Sequence, residues 1–288
     1  MNDLGKVDET MLIFGGPYSN YTATVAMQAR AVDLGIPAER IICSGDIIAY
    51  CGEPSETLDL IRDWGIQVVM GNCEEALAHG GADCGCGFEA DSECSVLALT
   101  WYEYSNRRVT VAQRRWMSEL PRSIHFNLSD TDFRVVHASL SSNNEFVFAS
   151  SAADARLAQM RHSGIDAVIG GHSGIPFGQR LTERYWLNAG VIGMPANDGG
   201  QHGWYMLLEP CESGCMASWH RLDYDFSNSR DSTIAAGMIA YGNALASGLW
   251  PNIDILPEIE AQQTGQPLDL QPLHIEPALP LRRANTLR

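Results

Sequence analysis

Four side chains in this 288-residue sequence have the types and spacing for metal chemistry: Asp46, Asn72, His137 and His172. Each closes a short apolar run. Arg40-Ile-Ile-Cys-Ser-Gly-Asp46 and Ile66-Gln-Val-Val-Met-Gly-Asn72 stop at a glycine and then present one oxygen-bearing side chain. Phe133-Arg-Val-Val-His137 and Ala167-Val-Ile-Gly-Gly-His172 end on an imidazole. In an open α/β sheet, ligands sit in the crevice beyond the carboxyl ends of the strands. A carboxylate, an amide oxygen and two imidazoles there would form one mouth of mixed oxygen and nitrogen donors. That set suits Mn²⁺, Fe²⁺, Zn²⁺ or Ni²⁺ better than Ca²⁺. Taken singly, Asp46 and Asn72 read as turn or cap residues, and His137 as a hydrogen-bonded packing residue. The metal reading rests on all four standing at strand ends.

The elements that must position them can be read from periodicity. Met11–Phe14 is a buried-strand candidate ending at Gly15-Gly16-Pro17-Tyr18-Ser19-Asn20, and a helix is expected from about Tyr21 to Leu34. Strand Ile41–Cys43 follows. Pro54 opens a second helix with Leu58, Ile61 and Trp64 on one face, and Gly65 stops it before strand Gln67–Met70. This βαβαβ run implies a parallel sheet with right-handed crossovers. His79 to Cys94, rich in Gly, Cys and Asp, reads as an irregular loop. Helices are expected at Val96–Asn106, Ala112–Leu120 and Ala152–His162, and a hairpin joins Ser123–Leu128 to Asp132–His137. Further strands are expected at Asp166–Ile169, Gly178–Leu181, Arg184–Ala189, Gly203–Leu208 and Met216–Tyr224. The order predicts an α/β protein with two packed sheets and helices outside. Residues 1–250 read as one domain. Residues 251–288, where six of the thirteen prolines fall, read as an extended tail.

Composition limits the partners. A formal net charge of −16 argues against a broad basic face for nucleic acid, so a phosphate-bearing ligand needs a local positive centre such as a metal ion. No apolar run reaches membrane-spanning length, and Met1–Thr10 is polar and acidic rather than a signal peptide. Eight cysteines without such a signal read as reduced thiols of a cytoplasmic protein. Cys84-Gly-Cys86, with Cys94 nearby and Cys51 following Asp46, could form a thiolate metal site or a redox pair, but the spacing is not a zinc pattern and scattered free thiols are the expectation. Trp250 and the tail offer a surface for a homo-oligomer.

The series Gly45-Asp46, Gly71-Asn72-Cys73-Glu74, Val136-His137 and Gly171-His172-Ser173 resembles the calcineurin-like metallophosphoesterases, most closely their small bacterial phosphodiesterase branch. Leu187-Asn188-Ala-Gly190-Val-Ile-Gly193-Met-Pro195 and Trp204-Tyr-Met-Leu-Leu208 resemble that branch's following segments. The resemblance implies an α/β/β/α sandwich, metal-dependent hydrolysis of a phosphomonoester or phosphodiester, and a small phosphorylated substrate.

The departures carry information too. Where the family has Asp-x-His-Gly-Asn, this chain has Gly16-Pro17-Tyr18-Ser19-Asn20. Where the family has Gly-His-Thr/Ser-His, it has Gly171-His172-Ser173-Gly174. By carry-over, the three lost groups belong to one metal, while Asp46, Asn72, His137 and His172 complete the other, so one ion per chain is expected. Tyr18 and Asn20 are candidate substrate contacts with Asn72, and Tyr18, Asn72 and Cys73 are candidate catalytic groups. A thiol such as Cys73 is a poor proton donor at neutral pH. The competing reading is an inactive phosphoesterase fold that binds a phosphorylated ligand or regulates a partner. A serine esterase reading of Gly171-His-Ser173-Gly174 fails, because Ile175-Pro176 follows where the nucleophile elbow needs a helix.

Overall fold

The structure is a computed structural model that describes residues 1–86 and 93–277. Numbered in chain order, the first six strands are β1 (Asn2–Val7), β2 (Met11–Phe14), β3 (Ile41–Cys43), β4 (Gln67–Val68), β5 (Ser123–Leu128) and β6 (Thr131–Val136). Then come β7 (Ala167–Gly170), β8 (Phe177–Leu181), β9 (Arg184–Asn188), β10 (Gly203–Cys211), β11 (Gly214–Leu222) and β12 (Leu273–Ile275). They form two six-stranded sheets, ordered β1-β5-β6-β7-β9-β8 and β12-β11-β10-β2-β3-β4. Both mix parallel and antiparallel pairs, as the expected two-sheet sandwich requires.

Strands β2, β3 and β7 are buried on two faces and read as continuous apolar runs, whereas β6 alternates. Met11 and Ile13 of β2 and Ile42 of β3 face Phe133, Val135, Ile169 and Leu187 of the other sheet. Leu12, Phe14, Ile41 and Cys43 point outward to the helices α1 (Tyr21–Asp33) and α2 (Pro54–Trp64). In α2 the proline stands in the first turn, Leu58 and Ile61 share the buried face, and Gly65 ends the helix in the left-handed conformation. The opposite outer face is covered by α6 (Ala153–Ser163) through Leu157 and Met160. The layers are therefore α/β/β/α.

The structure departs from the sequence reading in four places. Residues 251–277 do not form a free tail. Helix α9 (Glu258–Gln262) forms within them, and β12 pairs with β11 by Cys215↔Ile275, burying Ile275 completely. The rest of the predicted tail, 278–288, lies outside the described residues. The N-terminal segment, expected only to be polar, is an edge strand parallel to β5. Asn72 opens a helix, α3 (Asn72–His79), that periodicity did not reveal. The irregular loop expected up to Cys94 is described only to Cys86, and α4 (Glu93–Arg108) already begins at Glu93. Among the described residues no helix is long and apolar enough to cross a membrane.

Candidate metal centre and adjoining pocket

The loops leaving β3 and β4 approach each other without room for side chains at their glycines. A Cβ on Gly71 would lie 2.4 Å from Asp46 Oδ1 and 2.5 Å from the Asp46 nitrogen. That closeness aims both Asp46 and Asn72 at one point. Asp46 holds φ at 56°, a left-handed conformation that costs energy and that surrounding contacts must enforce. Glu74 supplies the enforcement. Its fully buried carboxylate accepts from the Asp46 nitrogen (2.8 Å), the Gly71 nitrogen (3.0 Å) and the Ile48 nitrogen (3.1 Å). Sequence reasoning gave Glu74 no role. The signal was a Glu three residues after Gly71, the capping-box position of a helix starting at Asn72.

His137, at the end of β6, and His172, after β7, complete the group. His137 Nε2 lies 2.9 Å from Asn72 Oδ1, 2.9 Å from His172 Nδ1 and 3.3 Å from Asp46 Oδ2. His172 Nδ1 lies 3.8 Å from Asp46 Oδ2. One ligand atom each from Asp46, His137 and His172 falls within 4.8 Å of the others, and all three residues are buried. The structure thus brings together all four side chains singled out in the sequence.

Donor and acceptor bookkeeping tests whether a cation fits. The Ser44 carbonyl can only accept, so at 2.8 Å it takes the proton of His137 Nδ1, which in the neutral ring leaves Nε2 as a lone pair. The Asn72 amide donates from Nδ2 to the Cys84 carbonyl (2.9 Å), which turns its Oδ1 toward His137. Lone pairs of Nε2, Oδ1 and the Asp46 carboxylate therefore face one another in a buried space. A proton relieves one such contact; a divalent ion relieves them all. The Ser44 contact is also the outer-shell hydrogen bond that metal-ligating histidines require.

The charge states agree with this crowding. Burial alone would raise the Asp46 carboxyl, but His137 and His172 outweigh it and hold it below the usual carboxylate range. Burial works against the His137 imidazolium as well, yet the Asp46 carboxylate raises His137 above its ordinary value. Burial lowers His172. Burial and the Asp46 charge push the Glu74 carboxyl up to about 7.

The other candidates divide. Tyr18 is 4% exposed and lines a cavity that also touches His172; burial raises its phenol well above the ordinary range, so the hydroxyl keeps its proton. Asn20 is no substrate contact. Its Oδ1 caps α1 by accepting from the Ala23 nitrogen (3.0 Å) and takes the Ser229 hydroxyl, and its Nδ2 donates to the Gly193 carbonyl. The Asn72 amide is fixed by its Nδ2 donating to the Cys84 carbonyl and holds its Oδ1 2.9 Å from His137 Nε2, which makes it a ligand candidate. Cys73 is buried in the helix-side core, and burial keeps its thiol protonated. Cys84 and Cys86, expected as free thiols, are joined as a disulfide beside Asn72, whereas Cys51 and Cys94 are free.

The cavity beside His172 measures about 80 Å³ and is open on one side. Its walls include the rings of Tyr18, Tyr50, Phe146, Tyr241 and Trp250. Phe146 packs on His172 with centroids 4.3 Å apart. Tyr50 contacts Tyr18 at 4.7 Å and Tyr241 at 4.8 Å. These rings occupy the side where the sequence lost its ligands. A Cβ on Gly16 would lie 2.5 Å from the Tyr18 ring, and one on Gly174 would lie 3.3 Å from the Trp250 ring. Of these rings only Tyr18 was expected at the site; Trp250, expected on a surface for a second copy, lines the cavity instead, since the rings come together only through packing.

Comparison with known proteins follows the same lines. Residues 22–213 match the calcineurin-like phosphoesterase superfamily domain. The chain is similar in fold to a metallophosphoesterase from Sphaerobacter thermophilus, with 21% identity, a TM-score of 0.65, and coverage of 84% of this chain and all of that one. Hypothetical protein PH1004 from Pyrococcus horikoshii matches with 13% identity and a TM-score of 0.66, covering 80% of this chain and 94% of that one. The uncharacterized protein MJ0912 of Methanocaldococcus jannaschii is 22% identical over 245 residues, 79% of this chain and 93% of that protein. With two-thirds of its length matched and the two-sheet architecture in place, this chain belongs to the calcineurin-like phosphoesterase superfamily.

Proposed function

We propose that the protein is a metal-dependent phosphoesterase that works with one first-row divalent ion per chain, Mn²⁺, Fe²⁺, Zn²⁺ or Ni²⁺, held by Asp46, Asn72, His137 and His172. The observation that carries this reading is the convergence of a buried carboxylate, an amide oxygen and two imidazoles on one point, with ligand atoms of Asp46, His137 and His172 within 4.8 Å of one another. When bound, the ion would supply Lewis-acid polarisation of the phosphoryl group and an anchor for it. The chain's own residues do the rest. Glu74 and Ser44 hold the ligands in place through backbone and imidazole contacts. Tyr18, with its proton retained, donates a hydrogen bond to a phosphoryl oxygen entering from the cavity. The Phe146 ring against His172 shields that edge from water. The substrate is a small phosphorylated molecule, and the setting is the cytoplasm.

Charge selects within the phosphoesters. The described residues lining the cavity include no Lys or Arg, so a bound ion faces the Asp46 carboxylate with little further positive charge to offer. A monoanionic diester suits that balance better than a dianionic monoester.

A second reading has its own observation: the Tyr18 and Trp250 rings stand where the second ion's ligands would be, which favours ligand binding without turnover. Metal content and phosphodiester turnover, measured together for wild type and His172→Ala, separate the two. We expect about one ion and turnover in wild type, with both lost in the variant. An ion with tight phosphate-ester binding and no turnover would decide for the binding protein. No ion after reconstitution would end both.

A further inference from the structure

We infer that the aromatic cavity is a subsite for one uncharged, single-ring aryl group, and that the substrate is an ester of a phenol. This rests on the phosphoesterase reading above and adds the identity of the ester group.

The first support is the lining. Five rings, Tyr18, Tyr50, Phe146, Tyr241 and Trp250, surround the space, with aliphatic side chains such as Val191 and Met194 between them. None of the described lining residues is Asp, Glu, Lys or Arg, in a chain of formal net charge −16. A charged ester group would lose its hydration there with nothing to replace it.

The second support is that the three polar side chains Ser173, Trp250 and Asn252 in the wall are already occupied. The Ser173 hydroxyl donates to the Val147 carbonyl (2.7 Å) and accepts from Asn188 (2.9 Å). The Trp250 indole donates to the Pro195 carbonyl (2.7 Å). Asn252 accepts from the Cys94 thiol and donates to Glu93 and Asp254. A sugar hydroxyl would find these groups taken. The volume, about 80 Å³, is below the roughly 150 Å³ that encloses a benzene ring completely. A single ring therefore sits with one edge in the open mouth.

The third support is chemical. Hydrolysis forms a bond from a water oxygen to phosphorus and breaks the bond from phosphorus to the ester oxygen, whose electron pair leaves with the alcohol. Cys73 is buried in the helix-side core and does not line the cavity. An alkanol, whose alkoxide is far more basic than a phenolate, would need a proton from a lining group such as the Tyr18 hydroxyl. A phenol, whose pKa is about 10, leaves as phenolate and takes its proton from solvent, to which the attacking water gives one.

Phenylphosphonate and methylphosphonate, neither of which can be hydrolysed, test the subsite on the metal-loaded full chain through tryptophan fluorescence or calorimetry. Wild type should bind phenylphosphonate at least about tenfold more tightly. Tyr241→Leu, which keeps bulk and removes a ring, and Trp250→Ala should collapse that ratio toward one, with circular dichroism confirming the fold. Equal affinity of wild type for the two phosphonates would overturn the aryl subsite alone. Metal-loaded protein that binds neither would remove the phosphoesterase reading and this inference with it. An unchanged ratio in both folded variants would also overturn it.

Discussion

The two ends of one crevice in this protein have diverged. At the metal end, Asp46, Asn72, His137 and His172 present acceptors to a common point, and Glu74 and Ser44 lock them from behind. At the other end, Tyr18, Tyr50, Tyr241 and Trp250 pack edge and face around a small apolar space. The first end is polar, buried and useful only with a cation; the second is apolar and keeps its shape without one. The Tyr18 ring packs beside Gly16 and the Trp250 ring beside Gly174, and together they leave a shaped wall. The difference teaches that a polar cluster and an apolar wall can share one crevice when each is packed by its own set of neighbours.

The largest effect should come from the metal end. His172→Ala is expected to lower metal affinity and turnover by at least about a hundredfold, because even outer-shell changes cost 10- to 100-fold. Retention of stoichiometric metal in that variant would show the comparison to be drawn in the wrong place. Glu74→Ala comes next. It strands three buried N–H donors and should destabilise the protein by about 3 kcal/mol or more, with weaker metal binding as a consequence. Chemical denaturation would reveal this, and a loss below about 1 kcal/mol would mean that Glu74 does not hold the Asp46 loop.

Gly16→Asp probes the boundary between the ends. The Tyr18 ring occupies the space the new side chain needs, so a loss of about 1–3 kcal/mol is expected. Adding Tyr18→His should recover part of that loss, and a double-mutant cycle with no coupling would deny that the ring replaced the ligand. The smallest effect is expected for Tyr18→Phe, which keeps the ring and removes the hydroxyl. Turnover should fall by roughly tenfold or less, with metal content unchanged, as for one hydrogen bond. A wild-type rate would make Tyr18 wall alone.

The fold was legible where burial imposes a simple pattern. Met11–Phe14, Ile41–Cys43 and the α1 and α2 crossovers are apolar runs punctuated by Gly and Pro, and they fold as read. The misses share a cause. Strand β1 has an exposed edge and no apolar alternation, so nothing in its composition marks it. Helix α3 begins at a ligand and a Gly, where the apolar pattern is short. The segment after Trp250 is held by the β11 edge and by core contacts made with residues far back in the chain, and its prolines concealed that. The pairing of Cys84 with Cys86 depends on a loop whose course spacing cannot specify.

By itself the sequence determined the βαβαβ frame and the four strand-end ligand candidates, because glycine-terminated apolar strands have few ways to present one side chain beyond a sheet. Only the tertiary structure decided that Asn20 is a helix cap, that Glu74 is the brace of the site, and that rings from Tyr18 to Trp250 make one cavity. Hydrogen-bond partners and packed rings are properties of groups distant in sequence, and the chain's local pattern carries no record of which of them will meet.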